Sequence, residues 1–86
     1  RGIDYDRVKD ALAALPGVEA IHDLHIWPMS TTEPSLTAHL RIPAGHPGDV
    51  FLEDVQAMLH ERFGIGHTTI QIETGTACTL ADERTV

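Results

Sequence analysis

Apolar residues first recur at helical spacing. Val8, Ala11, Leu12 and Leu15 stand at i, i+3, i+4 and i+7, which lays one apolar stripe along a helix. The spacing predicts a helix over residues 4–15. Asp4 and Asp6 suit its positive N-terminal end, and Pro16-Gly17 stops it. Residues 18–27 read as a strand, being β-branched and aromatic and bounded by Gly17 and Pro28. A polar turn over residues 30–34 follows. Residues 35–42 then alternate, with Leu36, Ala38, Leu40 and Ile42 on one face and Thr37, His39 and Arg41 on the other. After a loop carrying His46, the helical period returns over residues 49–62. Its stripe is Phe51, Leu52, Val55, Met58, Leu59 and Phe63, with Asp49 placed to cap the start and Gly64 to cap the end. Residues 67–73 alternate once more, with Ile70 and Ile72 inward and Thr69, Gln71 and Glu73 outward.

The element order is therefore αββαβ, which predicts an α+β open-faced sandwich: a three-stranded mixed sheet with two helices on one face. The second and third strands should run parallel, joined by a crossover through the second helix. One folded domain is expected over residues 1–74. Residues 75–86 are polar and aperiodic, the composition of a mobile tail. The polar face of the sheet is left open, and function is expected there.

Composition changes this picture in a few respects. A chain of 86 residues supports one modest core, so a partner chain or a metal is a natural source of extra stability. The formal net charge of −7 argues against nucleic acid and against an anionic membrane surface, and suits cations instead. Cys78 is the single cysteine, so there is no disulfide framework and no Cys-x-x-Cys metal knuckle, and a reducing compartment is expected. No apolar run approaches membrane-spanning length and no signal peptide is visible. The chain begins at Arg1 rather than Met, so it is expected to be a fragment whose missing segments carry part of the function.

Candidate chemistry centres on the histidines. His22 and His25 would share a face on a helix, but strict strand alternation sends them to opposite faces. One ion held by both would require a bulge or an irregular strand start. By parity the open face presents Asp23, His25 and Trp27 from the first strand, His39 from the second, and His67, Gln71 and Glu73 from the third. His22 falls in with Leu24 and Ile26. Imidazole and carboxylate together suit zinc and similar divalent ions. Nucleophilic catalysis is framed less well. Ser30 or Ser35 lacks a nucleophile elbow, and Cys78 lies in the expected tail without a scaffold. Trp27 on the open face is an exposed aromatic of the kind that marks a protein interface.

The runs "PGVEAIHDLHIWPMS", "PSLTAHLRI" and "FGIGHTTIQIE" resemble, in this order and with these spacings, the C-terminal domain of cation diffusion facilitators, the zinc-transporter family. The likeness is greatest to its zinc, cobalt and cadmium exporters and its vesicular zinc transporters. The resemblance implies a metallochaperone-like fold, ferredoxin-like without the first strand. It also implies a place on the cytoplasmic face of a membrane, beneath a six-helix transmembrane domain of the same protein. Such domains form homodimers and bind zinc near the dimer interface, which stabilises or regulates the transporter. Family ligand positions fall on His22, His39 and Glu73, and His67 stands where relatives often carry a histidine close to the site. Gln71 departs from members with a histidine there, which puts a second shared ion in doubt.

Asp49 falls near a helix-start ligand of some members, although the capping role competes for it. With the family motif choosing His22, Asp23 and His25 become residues that support a ligand or line the interface. Cys78 remains a candidate for a further site. The expected function is thus a non-enzymatic metal-sensing and dimerisation domain binding Zn2+, with Co2+, Cd2+ or Ni2+ chemically acceptable. The alternative is a free-standing metallochaperone-like protein, and a metal-dependent hydrolase is a third class.

Overall fold

The computed structural model describes residues 3–28 and 33–75. Helix α1 covers Tyr5–Ala13 and is capped by Asp4, whose side chain accepts from the Asp6 and Arg7 amides. It ends two residues earlier than the apolar stripe suggests, because a residue preceding proline disfavours helical backbone. Leu15 instead donates to Leu12 in a tightened final turn. Strand β1, Ala20–Trp27, also starts later than expected. Val18 is still closing the turn onto the Leu15 carbonyl, and Glu19 makes the first cross-strand bond, to Arg41.

Strand β2, Ser35–Arg41, is the centre of the sheet. It pairs antiparallel with β1 and parallel with strand β3, His67–Glu73. Helix α2, Asp49–Phe63, supplies the crossover between the parallel strands. Its start corrects one expectation. Gly48, at φ 100°, takes the cap position, and Asp49 is the first helical residue with no side-chain capping bond. A left-handed backbone at that point admits glycine far more readily than aspartate, so the Asp49 carboxylate favours the helix end only through its charge. At the other end Gly64, at φ 72°, turns the chain so that its own amide and that of Ile65 reach the His60 and Leu59 carbonyls.

The core forms where both helices meet the even-numbered face of β2. Leu36, Ala38 and Leu40 are buried there under Val8 and Leu12 of α1 and Val55 and Leu59 of α2, with Leu24, Ile42 and Ile65 completing the layer. Phe51, Met58 and Phe63 pack half-buried around it, as do Ile70 and Ile72 of β3. Both helices lie on that even-numbered face, and among the described residues no helix covers the odd-numbered face of β2. Within the described residues this is the expected αββαβ architecture.

Candidate metal centre

The geometry of the open face is set by a bulge in β1. Ala20, Ile21 and His22 pair with Arg41, Leu40 and His39, but the next pair is His25 with Thr37. Asp23 and Leu24 together face the single residue Ala38, the two-against-one count of a β-bulge. Asp23 adopts φ 50°, the one positive value among the described non-glycine residues. Aspartate tolerates that conformation better than most residues with a side chain. Leu24 consequently turns into the core, at 6% exposure. His22 and His25 both oppose open-face residues of β2, so the expectation of opposite faces is overturned. The bulge re-aims His22, not His25.

Register then arranges the face in rows across the sheet: Ala20, Arg41 and Glu73; His22, His39 and Gln71; His25, Thr37 and Thr69; Trp27, Ser35 and His67. The first two rows converge. Glu73 Oε2 accepts from His39 Nδ1 at 2.9 Å, and Glu73 Oε1 lies 3.8 Å from His22 Nε2. Asp23 Oδ2 is 3.7 Å from the same His39 nitrogen. Three strands thus bring two imidazoles and two carboxylates to one place. The Glu73 side chain, at 13% exposure, is the least accessible of the four. Arg41 borders the cluster in register with Glu73, its Nε donating to Glu19 Oε1 at 2.6 Å.

The other candidates lie elsewhere. His67 occupies the opposite end of β3 from Glu73, about 20 Å along a strand rising about 3.3 Å per residue. It shares the far row with Trp27, which is exposed, and His25 stacks on that indole at 5.9 Å between ring centroids. Gln71 shares the row of His22 and His39 but offers only a neutral amide oxygen. Asp49 opens α2 in the helical layer, on the other side of the sheet. Cys78 and Ser30 lie outside the described residues. Sequence reasoning missed Tyr5, whose hydroxyl donates to the Leu24 carbonyl at 3.2 Å. Nothing in the hydrophobic pattern signals that contact.

These donors suit a divalent ion. Zinc held by nitrogen and oxygen at about 2.0–2.2 Å sets tetrahedral ligands roughly 3.3 Å apart; here each histidine approaches a different Glu73 oxygen, at 3.8 Å for His22 and 2.9 Å for His39. Among the described residues no group of three His, Cys, Asp or Glu side chains is arranged so as to hold a metal ion. Glu73 is engaged with His39 instead, and closing on an ion requires side-chain rotation.

The small α+β domain gathers two histidines and an acid on its open sheet face. Residues 1–75 match the family model of the cation efflux protein cytoplasmic domain, and the chain belongs to that family. It is 38% identical over 81 residues to the metal cation efflux system protein CzcD of Cupriavidus metallidurans, covering 93% of this chain and 25% of that protein. It is 37% identical over 73 residues to a probable proton-coupled zinc antiporter of Bos taurus, covering 85% of this chain and 19% of that protein. The chain therefore spans about a fifth to a quarter of the length of these relatives.

Among solved structures, the metal-bound C-terminal domain of CzcD matches at a TM-score of 0.74 and 36% identity, covering 83% of this chain and 99% of that one. A variant of the MamM C-terminal domain shares the fold at a TM-score of 0.64 and 16% identity, covering 80% of this chain and 90% of that one. The metallochaperone-like fold expected from the sequence is the one observed. Among the described residues no helix is long and apolar enough to cross a membrane.

Proposed function

We propose that this domain binds a zinc-type divalent cation through His22, His39 and Glu73, and that the bound ion stabilises a homodimer serving a transmembrane cation exporter. The observation that supports this reading is the meeting of His22, His39 and Glu73, from three different strands, with Glu73 contacting both rings. Asp23 stands beside His39 as a fourth donor, through oxygen, or as a base that orients the ring. Nitrogen and oxygen donors accept Zn2+, Co2+, Cd2+ and Ni2+ alike, so selectivity would rest on geometry. The relatives named above are transport proteins, and the transport domain itself, the cytoplasmic face of its membrane and the exported ion belong to this proposal. Trp27, exposed at the far row, is the proposed dimer contact.

The test is thermal. Zinc at about 100 times Kd stabilises a folded domain by roughly 2.7 kcal/mol, which raises Tm visibly. The variant His22→Ala/His39→Ala/Glu73→Ala should lose that response. An undiminished zinc shift in the triple variant would overturn the site.

A further inference from the structure

We infer that Tyr5 is a positioning residue for the metal centre: by donating to the Leu24 carbonyl, its hydroxyl holds the β1 bulge that aims His22 at His39 and Glu73. The inference rests on the ligand assignment proposed above.

The bulge is a costly local shape. Asp23 sits at φ 50°, a region where the side chain of an L-residue crowds its own backbone. The local alternative is regular alternation, which the period of two makes consequential. A one-residue slip in register sends each affected side chain to the opposite face. His22 would then turn toward the helical layer and Ile21 toward the open face, and Glu73 would lose one of its two partners. The bulge must therefore be held from outside the strand.

Two anchors are visible. Leu24 is buried in the core, which fixes the side-chain end of the bulge. The carbonyl of the same residue accepts from the Tyr5 hydroxyl at 3.2 Å, which fixes its backbone. Tyr5 is well placed as a tether. It is the first residue of α1, directly after the Asp4 cap, on a helix pinned by the fully buried Val8 and Leu12. At 45% exposure Tyr5 stands outside the buried core cluster, while its hydroxyl reaches a backbone atom of a distant strand.

Tyr5→Phe removes only the hydroxyl. In the metal-free chain, amides 22–25 should then exchange with solvent faster, while those of α2 keep their wild-type protection. Zinc affinity, read by competition with a chromogenic chelator, should fall about fivefold, the scale of one lost hydrogen bond. A second drop of that size should be absent when His22 is already replaced by alanine, because the hydroxyl acts through that ligand. Installing 4-aminophenylalanine at position 5, which restores a donor of similar reach, should recover both readouts.

Unchanged zinc affinity in Tyr5→Phe overturns the inference even if exchange rises. So does an equal drop in the His22→Ala background. Wild-type zinc binding that ignores His22→Ala would overturn the ligand assignment instead, and the exchange readout would still decide whether the hydroxyl holds the bulge.

Discussion

Glu73 is the hub of the candidate site, with one oxygen toward each histidine. Its place on β3 lets it serve both: it is one row beyond His39, where the parallel register sets it beside Arg41. His25 is close in sequence and faces the same way, yet it lies in the next row and stacks on Trp27. The two histidines of "HDLH" should therefore respond differently to substitution. His22→Ala should weaken zinc binding by at least about tenfold, since even outer supporting contacts to a metal are worth about 10–100-fold. His25→Ala should leave the affinity within about twofold of wild type, because its ring stacks on Trp27 in the next row. Chelator competition on the two variants checks both values. Equal losses would contradict the bulge-based assignment.

At the scale of elements, the period of the hydrophobic pattern carried most of the fold. Strand β3 lies where the alternation of Ile70 and Ile72 places it, and α2 follows the Val55 and Leu59 stripe to its glycine stop. The ends were harder to read where a neighbour overrode propensity, as Pro16 does for α1 and Gly48 for the start of α2. The candidate site was legible as residue types but not as an arrangement, because strict alternation sees no bulge. One signal was available: Ile21, Leu24 and Ile26 point inward at spacings of three and two, and the odd spacing marks the inserted residue. His67 illustrates the opposite limit, since sharing a face says nothing about distance along the strand. Gly64 offers a test at this scale. Gly64→Ala forces a side chain into φ 72°, at a cost of about 1 kcal/mol, and should lower Tm by about 4–8 °C in a domain of this size. Calorimetry showing no loss would contradict the left-handed cap.

The whole molecule carries a formal charge of −7, and two copies brought together repel one another. Cations held near their interface would offset part of that repulsion, so zinc should tighten a dimer rather than create one. Small-angle scattering should show a smaller radius of gyration at unchanged mass when zinc is added. Expansion, or a monomeric mass in both states, would remove the dimer from the account. Acidification should act against the ion. Imidazole must be neutral to ligate, and a free histidine side chain takes up its proton at about pH 6.5. Zinc affinity should therefore fall between neutral and mildly acidic solution, and titration calorimetry giving a constant affinity would point to carboxylates alone. The central claim is the place of the ion itself. Anomalous diffraction at the zinc edge, from crystals grown with the metal, should put a peak between His22, His39 and Glu73 at about 2.0–2.2 Å from each donor. A peak elsewhere on the chain, or none at this cluster with zinc present, would contradict it.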